Sequence, residues 1–247
     1  QSRGLGDVYK RQLHDRAMNA SNNMSDRKQM LQDALMAQRK MLIDATGKRG
    51  EDIPQAFTPY KEVLDVYDEG LELPDDVTII WPDDNYGYMK RLSSPKEQKR
   101  SGRSGVYYHS SYLGKPHDHL WMNTTSPTLM YEELRKAYDM TADRIWLLNA
   151  GDIMACEFAV DFFLSMAYDI DSFNFDRAAA YRTEWLCGML GDEYRNEYQD
   201  VLNSFYKLAF ARRPEFMGWG YQWATDKHGR ERNTDCLLYT SDAADDL

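Results

Sequence analysis

Hydrophobic residues recur along the chain with two different spacings. Between residues 26 and 45 they follow helical spacing, with Ser25 as a plausible N-cap and Gly47 as a typical C-cap. The run VTIIW at residues 77–81 is short and apolar, which is typical of a buried strand. Both patterns then repeat, predicting helices at 63–71, 128–138 and 157–168 and strands at 106–109 and 144–149.

Strands separated by helices predict parallel β-α units and therefore the α/β class. After residue 176 the pattern changes, because the predicted helices 177–189 and 193–212 follow each other with no strand between them. We therefore expect an α/β domain at 13–173 and a helical domain at 174–235. Residues 1–12 and 236–247 differ in character from the rest, and we interpret both as translated sequencing-adapter tails.

The composition narrows the possible functions. The 247 residues are 43% hydrophobic and 13% aromatic, which is sufficient for a packed core. The formal net charge is −10 and no basic patch stands out, so no nucleic-acid partner is expected. No apolar stretch approaches the roughly 18 residues of a membrane span. The three cysteines are scattered and predict neither a disulfide framework nor a zinc site.

Polar side chains follow three of the predicted strands, at the point where each strand ends. They are Asp83 and Asn85, then His109 and Tyr112, then Asn149 and Asp152. In parallel β-α folds these positions share one edge of the sheet, so the pattern indicates a site for a carbohydrate-like or carboxylate-like ligand. A plainer interpretation also fits: an ordinary turn at 83–85, a hydrogen-bonded core histidine at 109, and a solvated helix face at Glu132 and Glu133.

Three runs of sequence carry a more specific resemblance: WPDDNYGYMKRL (81–92), SGVYYHSSYLGKPHDHLWMNTT (104–125) and WLLNAGDI (146–153). They resemble glycoside hydrolase family 115, the xylan α-1,2-glucuronidases, which remove glucuronic or 4-O-methylglucuronic acid branches. The resemblance extends from about residue 13 to about residue 214. It implies the C-terminal part of a (β/α)8 TIM barrel followed by the start of a helical domain.

The resemblance also implies roles for individual residues. Glu62, in the run Tyr60-Lys61-Glu62, matches the proposed general acid, and Asp83 is the second catalytic candidate. The implied substrate-binding residues are Asp15, Asn85, His109 and Tyr112. The family is expected to invert the anomeric centre, with its two carboxyl groups roughly 6.5–9.5 Å apart so that a water molecule fits between them.

The wider implications concern partners and location. The substrate is expected to be glucuronoxylan or its oligosaccharides, with no metal and no cofactor. The full-length parent is expected to be secreted or periplasmic, and a homodimer is one expected state of it. The present chain is expected to be inactive alone.

Two alternatives remain open. The family's lysine-proline pair after Gly-Asp-Ile is replaced here by Met154 and Ala155, which fits a barrel that binds carbohydrate without catalysis. His117 and His119 suggest a weaker alternative, a metal-assisted hydrolase.

Overall fold

The computed structural model describes residues 23–110, 122–151, 153–214, 223–225 and 231–233. Several predicted positions lie outside the described residues: Asp15, Tyr112, His117, His119, Asp152 and both terminal tails.

Helix α1, Met24–Thr46, shows how local capping fixes an element's ends. Its C-cap is Gly47, as predicted; this residue has φ 66° and donates its N–H to the Ile43 carbonyl at 2.8 Å. The predicted N-cap is wrong, because Asn23 caps the helix by accepting a hydrogen bond from the Ser25 N–H at 3.1 Å.

Parallel strands form the centre of the described fold. The elements are β1 (Ala56–Phe57), α2 (Glu62–Asp68), β2 (Thr78–Pro82), β3 (Ser104–His109), α3 (Pro127–Asp139) and β4 (Trp146–Asn149). The sheet order is β1-β2-β3-β4, with β1, β2 and β3 paired in parallel. Backbone hydrogen bonds also link β3 to β4: the Val106 N–H donates to the Ile145 carbonyl at 2.9 Å, and the Ser110 N–H donates to the Asn149 carbonyl at 3.0 Å. Donor and acceptor numbers increase together, so the two strands run in the same direction. The predicted α/β class is therefore confirmed.

Helices follow one another after β4, as predicted. They are α4 (Glu157–Tyr168), α5 (Phe175–Leu190) and α6 (Arg195–Ala211), and short 3₁₀ turns occupy Gly50–Asp52, Glu97–Lys99, Ile153–Ala155 and Ile170–Ser172. The antiparallel pair β5 (Trp223–Thr225) and β6 (Glu231–Asn233) was not predicted, because three-residue strands are too short to show a period. Within the described residues, no helix has the length and hydropathy to span a membrane.

Close contacts divide the chain into two compact units. Of the described residues, the first unit comprises 23–82, 91–107 and 137–146, and the second comprises 83–90, 108–110, 122–136, 147–151, 153–214, 223–225 and 231–233. Core residues of the first unit are Leu31, Phe57, Val66, Leu71 and Val77. Core residues of the second unit include Met130, Leu134, Phe162, Phe163 and Met166. Because this division passes through strands, it does not test the predicted boundary at 173/174, which stays a prediction.

Two glycines provide a matched test of the packing in the sheet and on the helices. A Cβ at Gly105 in β3 would overlap the Ile145 carbonyl oxygen and lie 3.0 Å from Ile80 Cδ1, whereas a Cβ at Gly188 in α5 would meet nothing within 4 Å. We expect Gly105→Ala to lower the free energy of unfolding by about 1–3 kcal/mol through overpacking. Gly188→Ala should raise it by about 0.5–1 kcal/mol through helix propensity. Urea denaturation followed by circular dichroism measures both, and equal effects would contradict the described strand contact.

Candidate active site

The carboxylate of Asp83 organises the loop that follows β2. Its Oδ1 accepts the Asn85 N–H at 3.1 Å and lies 2.5 Å from His109 Nδ1. Its Oδ2 accepts the backbone N–H groups of Gly87 and His109, both at 3.1 Å. The Asp83 side chain is completely buried. A buried carboxylate is tolerated only when such donors replace water, so this one ties the loop to the end of β3.

His109 is held in one tautomer by this contact. An ionised carboxylate can only accept hydrogen bonds, so the proton facing Asp83 belongs to Nδ1. The ring is only 2% exposed, and its backbone N–H is bound to the same carboxylate.

Left-handed backbone gives the loop its shape. Asn85 has φ 74° and Gly87 has φ 93°; asparagine is among the few residues other than glycine that tolerate this conformation. A Cβ at Gly87 would lie only 2.7 Å from the Tyr108 hydroxyl oxygen, which donates to the Gly87 carbonyl at 3.0 Å. Only glycine therefore fits beneath Tyr108.

The buried phenol of Tyr108 stays protonated. Burial raises its pKa well above the usual value, and the negative charge of Asp83 raises it further, whereas Arg213 acts in the opposite direction. The hydroxyl is therefore a permanent donor to the loop rather than an acid.

The neighbouring carboxylate of Asp84 closes a second turn in the same loop. Its Oδ1 accepts the N–H groups of Tyr86 at 3.0 Å and Tyr88 at 3.2 Å, and Lys90 lies 3.4 Å from its Oδ2. The turn predicted at 83–85 thus exists; the Asp84 side chain in it is 24% exposed, whereas that of Asp83 is completely buried.

Two charged residues of the site were not found by the sequence analysis. Glu133 is only 6% exposed and accepts the Met89 N–H at 2.7 Å, so its interpretation as part of a solvated helix face is wrong. Arg213 donates to the Tyr86 carbonyl at 2.6 Å and to the Thr125 hydroxyl at 3.2 Å. Partners this far away in sequence leave no local signal.

Glu62, the predicted general acid, opens α2 and is partly exposed. The preceding residue, Lys61, has φ 53° and ψ −124°, a conformation that is strained for any residue with a side chain. Strain of this kind is concentrated at functional sites. Glu62 belongs to the first unit, whereas Asp83, Asn85 and His109 belong to the second. The structure thus brings the last three together, and the grouping of Glu62 with them stays a prediction.

An ion-pair cluster fixes α2 within the first unit. Tyr67 of α2 donates to Glu97 at 2.7 Å, and Arg91 contacts both Glu97 oxygens at 2.9 and 3.0 Å. The Arg91 guanidinium also lies 4.6 Å from the centre of the Trp81 ring in β2. Burial opposes ionisation of Glu97, but hydrogen bonds from Arg91 and Ser94 outweigh it and lower the pKa of Glu97 to about 2.

Comparison with known proteins identifies the family. No curated protein matches the chain, but the family model described as glycosyl hydrolase family 115 matches residues 3–216. The chain belongs to glycoside hydrolase family 115. Among solved structures it is similar to a family GH115 4-O-methyl-α-glucuronidase described as having specificity for decorated arabinogalactans. The sequence identity is 41% and the TM-score is 0.75.

This family 115 chain covers only part of its solved relative. The alignment includes 80% of the present chain but 26% of the other. The described parallel strands and following helices match that relative, in agreement with the α/β class and a partial TIM barrel. Among the described residues, no group of three histidine, cysteine or acidic side chains is arranged to hold a metal ion.

Adjacent aspartates allow a test of the buried carboxylate. Asp83→Asn turns one acceptor oxygen into an NH₂ group that faces backbone donors, so we expect the free energy of unfolding to fall by about 2–4 kcal/mol. Asp84→Asn keeps an acceptor oxygen for Tyr86 and Tyr88 and should cost less than about 1 kcal/mol. Urea denaturation at neutral pH compares the two, and equal losses would refute the special role of Asp83.

The Glu97 cluster predicts a specific acid sensitivity. A carboxyl whose pKa is lowered on folding stabilises the protein above its unfolded pKa of about 4.5 and loses that contribution as the pH falls towards 2. After allowance for solvent screening, the contribution is about 1–2 kcal/mol. The stability difference between the wild type and Glu97→Gln, measured by denaturation at several pH values, should shrink between pH 4.5 and 2. A constant difference would be evidence against this coupling.

Proposed function

We propose that the parent protein is a glycoside hydrolase that releases glucuronic or 4-O-methylglucuronic acid branches, α-1,2-linked to xylan, with inversion. The present chain would supply part of the catalytic barrel and be inactive alone. The observation that carries the proposal is the rigid Asp83–His109 pair at the carboxyl ends of neighbouring strands in a member of family 115. Active sites of β/α barrels lie at these strand ends.

The chemistry requires one acid and one activated water molecule. When the bond between the anomeric carbon and the leaving oxygen breaks, that oxygen needs a proton, which Glu62 would donate. Water would attack the anomeric carbon from the opposite face and lose its proton to a base, giving the inverted sugar acid. The sugar ring becomes positively charged in the transition state, so nearby carboxylate charge favours the reaction.

Asp83 is better suited to positioning than to attack. Its two oxygens accept three backbone N–H groups and face His109, and its side chain is fully buried. We propose that Asp83 orients His109, and that Asn85 and His109 contact the uronate. Asp15 and Tyr112 remain proposed ligands from the family motif.

The polysaccharide backbone of the substrate is decided by comparing activity on glucuronoxylan with activity on decorated arabinogalactan. The solved relative is described as specific for decorated arabinogalactans, whereas the motif resemblance implies xylan. On this proposal the group removed from either glycan is an α-linked uronic acid branch, and the proposed pocket residues bind that branch. Secretion or periplasmic location and a homodimeric parent are also proposed from the family, and cell fractionation and size-exclusion chromatography test them.

Replacement of Glu62 tests the proposed acid. In the parent protein, Glu62→Gln should lower turnover roughly 10²–10⁴-fold on glucuronoxylan, because the leaving oxygen is no longer protonated. The same variant should keep most of its activity on α-glucuronyl fluoride, whose leaving group needs little protonation. Glu69→Gln, an exposed replacement just after α2, is the matched control.

Chromatography of the released acid gives the result for glucuronoxylan and decorated arabinogalactan in parallel. Undiminished turnover of glucuronoxylan by Glu62→Gln would remove Glu62 as the acid. Release from arabinogalactan alone would replace xylan as the substrate. Binding of 4-O-methylglucuronic acid without any turnover would favour the non-catalytic alternative.

A further inference from the structure

A cavity lies in the second unit. It has a volume of about 230 Å³ and is lined by the start of α3, by α5 and α6, and by residues just after α6. Its polar lining includes Thr128, Arg182, Gln199, Asn203, Tyr206 and Arg213, and it contains no aspartate or glutamate. Asp83, Asn85 and His109 do not line it.

Among the described residues, the charged side chains that line this cavity are those of Arg182 and Arg213, and both are positive. Arg182 is hydrogen-bonded to the Tyr206 hydroxyl and lies 5.0 Å from the centre of the Phe158 ring. Arg213 is bound to a backbone carbonyl and to a hydroxyl. Within the described part of the chain neither arginine forms an ion pair, because all their partners are neutral groups. Both guanidinium groups carry a positive charge, in a protein whose formal net charge is −10.

The start of α3 adds to the same potential. Ser126 accepts the Leu129 N–H at 3.2 Å, and both residues line the cavity together with Pro127 and Thr128. The first turn of a helix carries the positive end of its dipole. This contribution is secondary to that of the two arginines, and it has the same sign.

We propose that this cavity binds a small oxyanion, with the carboxylate of a monosaccharide acid as the best fit. Its volume is below the roughly 300–1,000 Å³ of sites for drug-sized ligands, which suits a single sugar ring or a smaller anion. Tyr206 and Phe210 supply aromatic surface beside the arginines. Only the choice of glucuronate as a probe rests on the proposed function; the preference for an anion rests on the charges.

Calorimetry with sodium glucuronate, inorganic phosphate and glucose tests the site on the complete 247-residue chain. We expect an anion to bind and glucose not to bind. Arg182→Gln should weaken anion binding roughly 10–100-fold, as expected for loss of a charged hydrogen bond. Asn203→Asp should do the same while keeping the acceptor that Gln199 contacts, because its carboxylate neutralises the cavity. One variant removes a positive charge and the other adds a negative charge, so a shared loss of anion binding is not explained by a single folding defect. Thermal melting curves show whether each variant is folded.

Two control variants separate this site from its surroundings. Lys207→Gln removes the same charge from an exposed position on α6 outside the cavity, and it should bind like the wild type. Asn85→Gly removes a candidate substrate-binding side chain at a φ of 74°, which glycine adopts readily, and it should bind phosphate like the wild type because Asn85 does not line the cavity.

The outcomes decide the proposal. Binding of glucuronate alone identifies a sugar-acid site, and binding of phosphate identifies an inorganic oxyanion site; both support it. Unchanged anion binding by Arg182→Gln, loss of phosphate binding by Asn85→Gly, equal binding of glucose, or no anion binding would overturn it. Turnover by the Glu62 variants is a separate readout, so failure of the proposed hydrolase function would remain distinguishable.

Discussion

The buried carboxylate of Asp83 is the constraint on which the described site depends. Strand register brings it close to His109, because Pro82 of β2 pairs with Tyr107 of β3, and Asp83 follows Pro82 by one position and His109 follows Tyr107 by two. Removing a carboxylate from water costs several kcal/mol unless donors replace the lost hydration. Three backbone N–H groups and the imidazole of His109 provide that replacement. Any shift of the loop or of the strand end would leave charge unsatisfied, so the electrostatics themselves hold the geometry.

Steric fit reinforces this electrostatic control. Gly87 has no side chain at the point where the Tyr108 hydroxyl lies, and the same hydroxyl donates to its carbonyl. Because burial raises the pKa of that phenol well above its usual value, the hydroxyl remains a donor at neutral pH. Glu133 holds the far end of the loop through the Met89 N–H. A loop fixed at both ends presents its polar groups with little reorganisation, which is what electrostatic catalysis and tight recognition require.

Local patterns were sufficient to predict much of this architecture from the sequence. The continuous apolar run at 77–81 and the helical spacing at 157–168 both reflect burial, so β2 and α4 begin and end within one residue of the predicted bounds. The rule that strand ends carry function placed Asp83 and His109 together. It gave no indication that Asp83 is buried or that Glu133 faces inward, because burial depends on partners many residues away. The strain at Lys61 likewise arises from the folded backbone and is not visible in the residue's identity.

Arg213 joins two parts of the second unit that would otherwise be considered separately. Two of its N–H groups hold the Tyr86 carbonyl and the Thr125 hydroxyl, so it braces the loop that Asp83 organises. A guanidinium has five donors, and the same side chain lines the positively charged cavity. An anion in that cavity would therefore share a cation with the loop beside His109, a candidate substrate-binding residue. Because the guanidinium is rigid and planar, an anion bound to one edge of Arg213 would also affect the orientation of the N–H groups that contact Tyr86 and Thr125.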